Sequence, residues 1–156
     1  MRISPACSPC STLSLSIPNR ISDLAAGLAT AEAYLATWSI NEGDASKVII
    51  ILDELGSNIL KAAWPDGGEH WFTVELRIEP SYPTFDFVLL VIDDGVPFDP
   101  TGAVPPKIEL SLDDREPGGL GLLMLQELTD SLEYSRVDGR NRLKITKRLA
   151  ATQRIV

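Results

Sequence analysis

Val48-Ile-Ile-Ile-Leu-Asp-Glu54-Leu-Gly-Ser-Asn58-Ile-Leu-Lys-Ala-Ala-Trp64 is a largely apolar run with the periodicity of a helix. Within it, Glu54 and Asn58 stand one turn apart, and the i, i+4 spacing puts both side chains on one face. Polar groups held on a largely buried helix need partners, because an unpaired buried carboxylate or amide costs roughly 2 to 7 kcal/mol. A bound cation would satisfy both. Such an oxygen pair suits Mg2+, which takes one or two protein ligands and completes its shell with water and substrate phosphates. An ordinary polar stripe on a helix is the competing reading, and this stretch alone does not separate the two.

Outward from this helix the chain reads as α plus β. Pro65-Asp-Gly-Gly68 is a strong stop signal. Before the helix, Thr12 to Ile17 alternates as a short strand, and Leu24, Leu28, Ala31, Leu35 and Trp38 recur at helical spacing as a stripe for the core or for a partner. After it, Phe72, Val74, Leu76 and Ile78 alternate with polar residues, which marks a strand covered on one face. Phe85 to Ile92 is apolar almost throughout and belongs in the middle of the sheet. The link Glu79-Pro-Ser-Tyr-Pro83 is too short for a crossover helix, so these strands pair antiparallel. An irregular stretch from Asp94 to Pro117 precedes a helix over Leu120 to Asp130. Strands at Ser131 to Val137 and Arg142 to Leu149 then meet at Asp138-Gly139, a hairpin signal. The expected fold is an α+β two-layer sandwich whose mixed, mostly antiparallel sheet carries helices on one face. Residues 12–150 are expected to form a single domain, with residues 1–11 as a disordered leader and residues 151–156 as a tail.

At 156 residues with 44% hydrophobic content, the chain can bury a proper core. Its formal net charge of −8 repels a phosphate backbone and argues against direct nucleic-acid binding. No apolar stretch reaches the length of a membrane span, and the first residues lack the apolar core of a signal peptide, so a cytoplasmic protein is expected. Cys7 and Cys10 form a C-x-x-C in a Pro/Ser-rich leader. A structural zinc site would need two further ligands, and His70 supplies at most one. His70 itself follows a Gly-Gly turn with no nucleophile nearby and reads as non-catalytic.

Two further motifs carry chemistry. Asp93-Asp-Gly-Val-Pro-Phe-Asp-Pro100 ends the central strand with a carboxylate, followed at Gly95 by a residue that allows close backbone approach. Asp93 can accept a hydrogen bond from the exocyclic amine of adenine, where guanine presents a carbonyl; an Asp-Gly turn closing a hairpin is the alternative. Glu116-Pro-Gly-Gly-Leu-Gly-Leu122 runs into an apolar helix, and glycines 118, 119 and 121 expose N–H groups at its positive end. Phosphates fit there, although a simple helix cap would use the same residues. No G-K-[ST] follows, which excludes a P-loop, and no strand leads in, which disfavours a dinucleotide site.

A metal-binding helix, an Asp-x-Gly and a Gly-Gly-x-Gly, in that order, resemble the Bergerat ATP-binding fold of histidine kinases and gyrase. The run Gly118-Gly-Leu-Gly-Leu-Leu-Met-Leu-Gln-Glu-Leu-Thr-Asp-Ser-Leu-Glu-Tyr134 looks most like the bacterial anti-sigma factor serine/threonine kinase family, and the resemblance covers Leu13 to Leu149. It implies that Asn58 coordinates Mg2+ on the ATP phosphates, Glu54 is the general base and Asp93 binds the adenine amine. Gly95 would line the ring, Gly119 and Gly121 would meet the phosphates, and Asp99 to Pro117 would form the ATP lid. The implied activity is phosphorylation of Ser or Thr on an anti-sigma antagonist. A sigma factor is the second partner, and a homodimer is implied through the first strand and Leu24, Leu28 and Leu35. Two positions depart from the family pattern: Ala62 stands where a histidine is frequent, and Pro97 where a small residue is common. A nucleotide-regulated binding module with little or no kinase activity and a stand-alone ATP hydrolase remain alternatives.

Overall fold

The computed structural model of the chain describes residues 12–102 and 119–153. The Cys7/Cys10 leader, most of the expected lid and the last residues of the tail lie outside the described residues. β1 (Thr12–Pro18) leads into α1 (Ile21–Ala36) and α2 (Glu42–Ala62), which are followed by β2 (Trp71–Ser81) and β3 (Thr84–Asp93). After a 3-10 turn at Pro100–Gly102 come α3 (Gly119–Leu128), β4 (Ser131–Val137) and β5 (Arg140–Ala150).

The five strands form one sheet in the order β1-β2-β3-β5-β4, and every neighbouring pair is antiparallel. The sheet thus lies at the wholly antiparallel end of the expected range. Two of its pairings are hairpins, which can be nothing else. β2 and β3 pair as far as Ser81 and Thr84, so their turn shrinks to Tyr82-Pro83. β4 and β5 turn at Asp138 and Gly139, both with positive φ (52° and 73°), the backbone that matches the twist of the flanking strands.

β3 is central, as its apolar composition predicts. Phe85, Phe87, Leu89 and Val91 are buried on the helix side together with Phe72, Val74, Leu76 and Ile78 of β2 and Leu143, Ile145 and Leu149 of β5. Full burial of each such side chain contributes roughly 1.5 to 3 kcal/mol. The helices close this core with Leu24, Ala31 and Leu35 from α1 and Val48, Ile51, Leu52 and Leu55 from α2. Leu24 and Leu35 are buried in the chain's own core and Leu28 is partly buried against it, so much of the leucine stripe faces inward. β1, by contrast, is an edge strand paired on one side only among the described strands.

α2 begins well before its apolar run, because the Asn41 side chain caps it by accepting from Gly43 N at 2.9 Å. It ends at Ala62, just ahead of the Pro65-Asp-Gly-Gly68 stop. Its C-terminal end shapes the site that this helix supports.

Candidate functional site

Asp93 is the last residue of β3, and strand alternation points its side chain to the helix side, as it does Val91 and Leu89. It is buried there, 9% exposed. Asp93 Oδ1 accepts from Gly95 N and from Asn141 Nδ2, each at 2.9 Å. No donor among the described residues bonds its Oδ2. Gly95 is pressed onto the end of α2: a Cβ at this position would lie 2.5 Å from the Ala63 carbonyl oxygen and 2.6 Å from the Ala63 Cβ. The contact is with backbone, so no side chain fits without displacing the loop. Val96 N donates to that same Ala63 carbonyl at 2.8 Å, satisfying an acceptor that the helix leaves open at its C-terminus.

The turn is braced from outside as well. Trp64 Nε1 donates to Asp94 Oδ1 at 2.9 Å, and the indole stacks on His70 with centroids 4.7 Å apart and planes 2° from parallel. His70 Nε2 pairs with the Gly67 carbonyl at 3.0 Å, so the histidine holds the turn. Trp64→Phe retains an aromatic stack but loses the bond to Asp94. Urea denaturation should show a stability loss of about 0.5 to 1.5 kcal/mol with the slope unchanged.

Asn58 and Asp93 line one pocket, whose walls include Leu55, Ala62, Val91 and Leu143. Ala62 contributes only a methyl group to the wall. Glu54 lies one turn before Asn58 on α2, against the glycine run: a Cβ built on Gly121 would run into the Glu54 carboxylate. Gly119 is the first residue of α3, so the helix begins inside the glycine run. Gly118 and the lid from residue 103 onward lie outside the described residues.

Glu54 and Asn58 are half-buried, and neither side chain has a hydrogen-bond or ion-pair partner among the described residues. Both side chains are therefore partly open to solvent. Along α2, Glu54 stands at Gly121, Asn58 lies one turn on, and Ala63 touches Gly95. From residue 54 to residue 63 the helix rises about 14 Å at 1.5 Å per residue.

No group of three or more His, Cys, Asp or Glu side chains is placed to hold a metal among the described residues. The donor set is one amide oxygen, on Asn58, with a carboxylate a turn away. It fits a hydrated, oxygen-loving cation that takes its remaining ligands from water and phosphate, and does not fit a closed zinc or calcium cage.

Sequence reasoning missed Asn141. It is 6% exposed, faces Asp93 from β5, and also engages Tyr134 and Arg136 of β4. The sequence did hold a signal. Asn141 shares the parity of Leu143, Ile145 and Leu149, a polar side chain at an inward position, but the expected strand began one residue too late to include it.

A family model described as the histidine kinase-like ATPase domain matches residues 17–147. The serine/threonine-protein kinase BtrW of Bordetella bronchiseptica is 35% identical over 98 residues, 63% of this chain and 66% of that protein. Among solved structures, the RsbU and RsbW domains of Rv1364c from Mycobacterium tuberculosis superpose with a TM-score of 0.66 at 17% identity, over 95% of this chain and 35% of that one. The SiaB-SiaC complex from Pseudomonas aeruginosa gives 0.63 at 17% identity, over 86% of this chain and 88% of the matched one. At that identity the structural likeness speaks for the fold. No helix among the described residues is long and apolar enough to cross a membrane.

Proposed function

Since this chain belongs to the histidine kinase-like ATPase domain family, we propose that it binds Mg-ATP and phosphorylates serine or threonine on an anti-sigma antagonist protein. One observation carries the reading: Glu54, Asn58 and Ala63 follow one another along α2, with Gly121 against the first and Gly95 against the last. Similarity to a named serine/threonine-protein kinase, of whose length the chain spans 66%, supports the reaction class. The proposed partners are that antagonist as acceptor, a sigma factor released when the antagonist competes, and a second copy of the chain through the open edge of β1. The cytoplasm, where ATP is available, is the proposed compartment.

Asp93 Oδ2 accepts from the adenine 6-amino group while the apolar pocket walls cover the ring. Gly95, packed bare against Ala63, lets the loop after Asp93 lie on the end of α2 and so keeps the carboxylate beside the ring. Gly119 and Gly121 present backbone N–H groups to the phosphates at the start of α3, where the helix dipole is positive. Asn58 holds Mg2+ through its amide oxygen, and the ion, when bound, offsets phosphate charge. Glu54 takes the proton of the acceptor hydroxyl; its carboxylate has no competing partner among the described residues and lies beside the glycine run where the terminal phosphate would sit. Phosphoryl transfer asks little covalent chemistry of a protein, so positioning and charge neutralisation supply most of the rate.

Thermal shift and calorimetry test the binding step. Mg-ATP at 100 times its Kd should stabilise the fold by about 2.7 kcal/mol. Asn58→Ala should weaken nucleotide binding in the presence of Mg2+ and leave the Mg2+-free affinity nearly unchanged. An equal Mg2+ response in both proteins would remove Asn58 as the metal ligand.

A further inference from the structure

We propose that Asn141, clamped by Tyr134 and Arg136, is the positioning residue that makes Asp93 selective for a 6-aminopurine; the inference rests on the ATP-binding reading above. Asp93 and Asn141 are the polar side chains buried among the described residues, and they bond directly. Both N–H groups of Asn141 are spent, one on Asp93 Oδ1 at 2.9 Å and the other on the Val96 carbonyl at 2.8 Å. Its oxygen accepts from Tyr134 OH at 2.7 Å and Arg136 Nη1 at 2.9 Å, with Phe98 N further off at 3.4 Å. Donors converge on one end of the amide and acceptors on the other, so its orientation is fixed from both sides.

Two consequences follow. Asn141 has no donor left for a ligand, so it does not read the base itself. It also locks a torsion that is otherwise broad and two-fold: with Oδ1 held by Asn141 and Gly95 N, Asp93 presents Oδ2 as a pure acceptor. An acceptor fixed in that place welcomes the amine of adenine and opposes the carbonyl of guanine. Arg136 Nη1 also donates to the Gly95 carbonyl at 3.1 Å, tying the clamp to the loop that flanks the base. Without Asn141, the carboxylate can turn, and selectivity falls with it.

The test is titration calorimetry with ATP, GTP and purine riboside triphosphate, which lacks the 6-amino group, on the parent chain, Asn141→Ala and Tyr134→Phe. The parent should prefer ATP over the des-amino nucleotide by about 10-fold or more. Asn141→Ala should lose most of that ratio by weakening ATP alone, with des-amino affinity little changed. Tyr134→Phe keeps the ring in the pocket wall and removes one donor, so it should narrow the ratio by a smaller factor in a chain that folds normally. Equal losses for both nucleotides in Asn141→Ala would mark a merely structural role and overturn the inference. An unchanged ratio in Tyr134→Phe would overturn it even if Asn141→Ala failed to fold. A parent chain that binds ATP and the des-amino nucleotide equally would instead sink the adenine reading on which the inference stands.

Discussion

Glu54→Gln should bind Mg-ATP about as well as the parent chain and transfer phosphate roughly 100- to 10,000-fold more slowly, the usual range for loss of a general base. The substitution keeps the shape and the hydrogen-bonding capacity of the side chain, and it removes the basic carboxylate. Its place explains the expected split. Glu54 lies against Gly121, more than two helical turns from the Ala63–Gly95 contact that shapes the adenine end, so binding of the purine is insulated from the change. Single-turnover transfer to a cognate antagonist, measured beside nucleotide affinity, separates the two quantities. Equal transfer by both proteins would take Glu54 out of the chemistry.

Asp93→Asn should weaken ATP binding by roughly 1.5 to 3 kcal/mol, the worth of a hydrogen bond to a charged group. The local network sets the direction of the effect. Gly95 N and Asn141 Nδ2 both donate to Oδ1, so an asparagine introduced at 93 keeps its carbonyl oxygen on that side and turns its NH2 into the pocket. A donor then faces the donor of adenine. The fold should survive, because the interior bonds are retained. Calorimetry on the two proteins checks this, and equal ATP affinity would remove Asp93 from base recognition.

Much of the architecture was legible because its periods are clean. Alternation from Phe72 to Ile78 and the apolar run from Phe85 to Ile92 suffice to pair β2 with β3 and to centre β3 in the sheet. Glu54, Asn58 and Asp93 stand out for a related reason: each is a polar exception within or at the end of an apolar run. Asn141 is an exception of the same kind, hidden by a strand boundary, and a shift of one residue at the start of β5 was enough to lose it.

Other features depend on tertiary packing, which periodicity does not encode. An amphipathic α1 offers Leu24 and Leu35 equally to a partner or to its own sheet, and only the assembled core shows that α2 and the sheet take them. That Gly121 meets Glu54 depends on how α3 docks on α2, two helices far apart in sequence. The role of His70 likewise emerges from its stack on Trp64, since neither residue carries a motif.

Incubating the purified chain with γ-labelled Mg-ATP and candidate antagonist proteins from its own genome, followed by phosphoamino-acid analysis, tests the proposed reaction most directly. Label should appear on a serine or threonine of one antagonist and be lost with Glu54→Gln. Absence of label on a verified cognate antagonist, from a chain that demonstrably binds Mg-ATP, would contradict the kinase reading and leave a nucleotide-regulated binding module in its place.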